Sequence, residues 1–128
     1  MKIPILRLGR ILLTSVQIDL SDNDVLQFQS DVVAQISEVE ALGIAIDISA
    51  LDVVDSYMAR VLSDTAGMAR MLGAEVIISG IQPFVAMTLI EMGRGLIGAD
   101  CVFNLEQAVE RLNERIAERG DKFSYLRD

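Results

Sequence analysis

Residues 43–78, GIAIDISALDVVDSYMARVLSDTAGMARMLGAEVII, decide how this chain folds. They open with Gly43-Ile44-Ala45-Ile46-Asp47-Ile48, an apolar run without alternation, as a strand buried on both faces of a parallel sheet requires. They run at their end into Glu75-Val76-Ile77-Ile78-Ser79, a second run of the same kind. Between them Met58, Val61, Leu62, Thr65, Met68, Ala69 and Leu72 recur at steps of three and four. That spacing predicts a helix over Ser56 to Leu72 with Gly73 as its stop. Strand, helix and strand with short links form a right-handed βαβ crossover.

The pattern continues in both directions. Upstream, Ser21-Asp22-Asn23-Asp24 is a cluster of capping residues, and Val25, Phe28, Val32, Ile36 and Val39 predict an amphipathic helix ending near Gly43. Before it, Ile3 to Leu8 and Ile11 to Ile18 flank Gly9-Arg10 as a β-hairpin, so the sheet begins antiparallel. Downstream, Gln82-Pro83 starts a third helix that Gly93 ends, since proline is tolerated at the first helical position. Cys101 to Asn104 reads as a last strand. A final helix carries Leu105, Ala108, Leu112 and Ile116, and the charged stretch Glu118 to Asp128 reads as its fraying end. The expected fold is one α/β domain over residues 1–128, in the order β-β-α-β-α-β-α-β-α. Its mixed sheet has an N-terminal antiparallel hairpin and parallel strands, packed with about four helices.

Composition removes most chemistry. The chain has no histidine and one cysteine, Cys101, which excludes Ser-His-Asp and Cys-His nucleophile systems and the usual zinc sites. No cofactor or metal is expected. Cys101 lies in the apolar run Cys101-Val102-Phe103 and reads as a small buried residue. Met58, Met68, Met71, Met87 and Met92 read as core gap-fillers. A net charge of −8 opposes binding to a phosphate backbone, so nucleic acid is not an expected partner. No long uncharged stretch and no cleavable apolar leader is present, so no membrane association and a cytoplasmic location are expected.

Two motifs invite sharper chemistry and fail on context. Gly93-Arg94-Gly95-Leu96-Ile97-Gly98 matches G-x-G-x-x-G, but a dinucleotide site needs those glycines after a strand and at the opening of a helix. Here they follow a helix and precede a strand. Asp47, at the end of a buried strand, could be the phospho-acceptor of a receiver domain. The first strands lack the acidic pair such a domain needs, and the only lysines are Lys2 and Lys122. The plainer reading is that Asp47 accepts hydrogen bonds from the loop that follows it.

The segment from Asp47 to Ser56 joins the carboxyl edge of a buried strand to a helix start, and open α/β sheets meet ligands and partners at that edge. Asp55 or Ser56 would cap the helix, but neither completes a capping box, because Met58 and Ala59 stand three residues on. An exposed hydroxyl on Ser56 would let a phosphate sit against the positive end of the helix dipole. The modification would add about −1.5 to −2 charges beside Asp52 and Asp55 and expel a partner packed there. A small anion or nucleotide held by the backbone N–H groups near Ser49 to Ser56 is the competing reading. A carboxylate enzyme built on Asp47 and Asp55 lacks a nearby electrophile or base with a task.

The element order, the Asp55-Ser56 pair opening the second helix, and Gly80-Ile81-Gln82-Pro83 followed by Thr88-Leu89-Ile90-Glu91 resemble the STAS family of anti-sigma-factor antagonists over nearly the whole chain. The resemblance is greatest to the branch that scaffolds bacterial stressosomes. It implies a non-enzymatic protein phosphorylated on Ser56 by an RsbT-type serine kinase and reset by an RsbX-type phosphatase. It further implies a homodimer that joins RsbR-type STAS paralogues in a large hetero-oligomer. Asp47, Asp55, Ser56 and Tyr57 are the implied switch and partner surface. Many antagonists continue Asp-Ser with another small hydroxyl residue and glycine, whereas Tyr57-Met58 follow here, which favours the scaffold over an anti-anti-sigma factor that binds an anti-sigma kinase directly.

Overall fold

The computed structural model describes residues 2–93 and 99–123. Its elements run β1 (Ile5–Leu8), β2 (Ile11–Ser15), α1 (Asp22–Val39), β3 (Gly43–Asp47), α2 (Ser56–Met71), β4 (Glu75–Ser79), α3 (Pro83–Glu91), β5 (Ala99–Val102) and α4 (Leu105–Phe123). The order is the one expected from the sequence. One sheet holds the strands as β1-β2-β3-β4-β5, antiparallel between β1 and β2 and parallel thereafter. The register aligns Thr14, Ile46 and Ile78 across the parallel strands, with Asp47 beside Ser79 at the carboxyl edge.

Side-chain alternation divides the core in two. Leu12, Ile44, Ile46, Val76 and Ile78 join the larger cluster with Phe28, Val32 and Ile36 of α1, Leu62 and Ala66 of α2, and Val85 and Leu89 of α3. Ile11, Ala45 and Ile77 face the other way, against Ala108 and Leu112 of α4. Each crossover in the series steps in the same direction, so right-handed connections place α1, α2 and α3 on one face, and α4 covers the other.

Several boundaries differ from the expected ones for tertiary reasons. The first helix stops at Val39, four residues before Gly43, with Glu40 closing it in a left-handed conformation and Arg10 donating to the Glu40 carbonyl at 2.7 Å. Gly43 is a packing residue in β3, where a Cβ would come within 2.8 Å of Leu112 Cδ2. β2 ends at Ser15 rather than Ile18, and β5 is Ala99–Val102, leaving Phe103 exposed. α4 continues through Phe123, and residues 124–128 lie outside the described residues.

The methionines divide. Met58 and Met92 pack partly against the core, but Met68, Met71 and Met87 are exposed, Met71 at 88%. Cys101 is likewise exposed rather than buried, because β5 is the edge of the sheet and its alternation turns that side chain outward. Burial and then the charge of Asp100 nevertheless push its thiol above the usual range, which opposes a reactive thiolate. Of the glycine motif only Gly93 is described, in a left-handed conformation just after the Met92 cap of α3; residues 94–98 lie outside the described residues. No described helix is long and apolar enough to cross a membrane.

Candidate functional site

The carboxyl edge of the sheet carries the candidate site, and Asp47 is its anchor. The residue is only 9% exposed. One carboxylate oxygen accepts from the buried Ser79 hydroxyl at 2.8 Å, and the other accepts from the Ser49 hydroxyl at 2.5 Å and the Ser49 N–H at 3.2 Å. The charge is thus met by hydroxyls and backbone, as a buried carboxylate requires. Asp47 lies beneath the expected partner surface and shapes it from below.

The turn after β4 closes over this anchor. Gly80 has a φ of +75°, and a Cβ there would lie 2.6 Å from Ser49 Cβ and 2.9 Å from Asp47 Oδ1. Only glycine combines that conformation with so close an approach. Gln82, in the same turn, donates its amide to the Ser49 carbonyl at 2.8 Å. The loops after β3 and β4 are therefore fastened to each other. Leu51 and Val54 then bury their side chains in the larger core, which holds the loop down while Asp52 and Val53 stay exposed.

Asp55, not Ser56, caps α2. Its backbone is extended and its Oδ1 accepts from the Met58 N–H at 2.7 Å. Ser56 is the first helical residue, is exposed, and makes no side-chain hydrogen bond among the described residues. No acidic residue occupies the first turn of α2, so apart from the Asp55 cap the positive end of its dipole is not offset locally. Tyr57 is half-buried beside it. The expected residues thus come together in one loop and helix start: Asp55 and Ser56 on the surface, Tyr57 at its margin, and Asp47 below.

Sequence reasoning missed one wall. A groove of about 260 Å³ runs beside Asp55, lined by Leu51, Asp52, Val53 and Met58 on one side and by the Gln17–Leu20 segment on the other. Asp19 in that segment has a φ of +59°, a conformation aspartate tolerates better than most residues. The signal was present as the turn-prone Asp19 before the capping cluster, but extending the second strand to Ile18 hid it. Among the described residues no cluster of three or more acidic, cysteine or histidine side chains is placed to hold a metal ion.

Comparison with known proteins gives the geometry a context. The family model for the STAS domain matches residues 2–112. A serine-to-glutamate variant of RsbS from Moorella thermoacetica superposes with a TM-score of 0.83 at 34% identity, over 91% of this chain and 99% of that one. A chain from the stressosome, a signal integration and transduction hub, superposes with a TM-score of 0.79 at 37% identity, over 88% of this chain and 98% of that one. The RsbT co-antagonist protein RsbRD of Bacillus subtilis is 29% identical over 87 residues, which are 68% of this chain but 31% of that longer protein.

Proposed function

The chain belongs to the STAS domain family, and from that premise we propose that it is a phosphorylation-switched scaffold and kinase antagonist of a stressosome. Residues 1–128 act in this reading as one STAS domain. The unphosphorylated protein forms homodimers, assembles with RsbR-type STAS paralogues, and sequesters an RsbT-type serine kinase. The kinase transfers the γ-phosphoryl group of ATP to Ser56 Oγ, forming an O–P bond and releasing ADP and the hydroxyl proton. The phosphate frees the kinase, and an RsbX-type phosphatase resets the site. The protein itself performs no catalysis.

The observation that carries the proposal is the division of labour at the start of α2. Asp55 does the capping, which leaves the Ser56 hydroxyl exposed at the first helical position, on a surface held rigid by Asp47 and Gln82. A phosphate there sits in the favourable field of the helix terminus, so it changes the surface without dismantling the fold. It also adds about −1.5 to −2 charges beside Asp52 and Asp55, which disfavours any partner packed closely on that edge. Likeness to RsbS and to a stressosome chain at 34% and 37% identity over most of the chain supports the scaffold role.

The test is phosphosite mapping. The chain is incubated with its serine kinase and ATP and examined by mass spectrometry, with the expectation of one phosphate on Ser56 and none on Ser56→Ala. Equal modification of Ser56→Ala would refute the assignment.

A further inference from the structure

The cations of this chain are distributed unevenly. Between Ile11 and Ala69 there are ten acidic residues and one basic residue, Arg60. Every other arginine that the structure describes is engaged. Arg7 donates to the Gly9 carbonyl, Arg10 to the Glu40 carbonyl, Arg70 to Glu75, Arg111 and Arg115 to Asp100, and Arg119 to the Gly73 carbonyl and Glu75. Arg60 alone is exposed and makes no hydrogen bond or ion pair with any described residue. Asp64 stands one turn further along α2, yet no ion pair joins the two.

Arg60 lies four residues after Ser56 on the same helix, and residues at that spacing are neighbours on one face. Helical side chains lean toward the N-terminus, so a long side chain at position 60 covers the turn that begins at Ser56. An arginine fork matches phosphate oxygens in geometry and charge.

We propose that Arg60 is the residue that receives the phosphate of phosphorylated Ser56, closing an intrahelical pair across the first turn of α2. The inference rests on the phospho-switch reading and specifies how the modified state is held. The phosphate gains a fixed partner instead of repelling Asp52 and Asp55 freely, which keeps the first turn of α2 folded. The same pair withdraws the one cation from an otherwise acidic stretch. A partner that met Arg60 with an acidic group in the unmodified protein loses that contact when the phosphate takes it. Phosphorylation then changes the surface twice, by adding anionic charge and by occupying its cation.

The experiment uses the full chain, phosphorylated by its kinase, with the second ionisation of the phosphoserine followed by ³¹P NMR. The charged and titratable groups of that surface are the carboxylates Asp52 and Asp55, Asp19 across the groove, the Tyr57 phenol, and Arg60 and Asp64 on the next two turns. All but Arg60 are unchanged between wild type and Arg60→Ala, as is the helix dipole. An exposed pair at this spacing should lower the wild-type midpoint relative to Arg60→Ala by about 0.3 pH unit, or twofold in proton affinity. Arg60→Lys should retain most of the shift, and molar salt should shrink it. Identical midpoints in phosphorylated wild type and Arg60→Ala would overturn the pairing while leaving Ser56 as the switch. Absence of phosphate on wild-type Ser56 would overturn the switch and the pairing together.

Discussion

Asp47 and Asp100 are both aspartates on parallel strands of the same sheet, and the protein satisfies them in opposite ways. Asp47 is buried at the carboxyl edge and is held by two serine hydroxyls and a backbone N–H. Asp100, in β5 under α4, receives Arg111 at 2.6 Å and Arg115 at 2.7 Å. Nearby Glu75 gathers Arg70, Arg115 and Arg119 into the same network. The α4 side of the molecule is thus internally neutralised by arginines, while the Ser56 edge is anchored without any cation. The carboxylates Asp52 and Asp55 at that edge have no ion-pair partner among the described residues, so their charge is left for a partner to answer, and a phosphate on Ser56 adds to it.

The comparison breaks most readily at Asp47. Asp47→Ala leaves the Ser79 hydroxyl, which is wholly buried, and the Ser49 N–H without their acceptor. Denaturant unfolding should show a loss of about 3 kcal/mol, since unsatisfied buried groups once paired to a charge are costly. A loss below about 0.5 kcal/mol would mean that the loop is held by other contacts.

At the surface end of the same loop, Asp55→Ala removes the cap of α2 and should cost about 1 kcal/mol. Asp55→Asn or Asp55→Ser should recover most of it in the same unfolding assay. An equal loss with serine would show that Asp55 acts through its charge rather than as a hydrogen-bond acceptor.

The smallest effect belongs to Asp100. Burial pushes its carboxyl up, but hydrogen bonds from Arg111, Arg115 and the Cys101 N–H outweigh this and hold it below the usual range. A group with a depressed folded pKa adds stability above its unfolded pKa and loses it as pH falls through the folded value. Asp100→Asn should therefore be slightly destabilising near pH 7, with a difference that shrinks as pH falls below the ordinary carboxylate range and through the lower folded value. Because the pair is partly exposed, solvent screening keeps the difference within about 1 kcal/mol, and high salt should reduce it. A difference that persists undiminished in acid would remove the ion pair from the account.

What could be read from the sequence follows from how local each signal is. The unalternating runs around Ile46 and Ile77 and the Asp55-Ser56 helix start depend on near neighbours, and they fold as they read. Gly43 does not, because its glycine answers to Leu112, far away in sequence. Periodicity also cannot say which side of α3 is covered when Phe84, Val85, Met87, Leu89 and Ile90 are all apolar; only Val85 and Leu89 are buried. Asp47 was legible as a hydrogen-bond acceptor, but its Ser79 partner comes from the neighbouring strand and needs the register. The Gln17–Leu20 wall required knowing where β2 stops.

The central claim is that one phosphate on Ser56 releases a sequestered kinase, and size-exclusion chromatography of the assembled complex tests it most directly. The kinase should co-elute with this chain and its RsbR-type partner before ATP is added. After modification of Ser56 it should move to its free position, and with Ser56→Ala it should remain bound. A kinase that stays in the large species after Ser56 is fully phosphorylated, or that leaves equally from Ser56→Ala, would contradict the account.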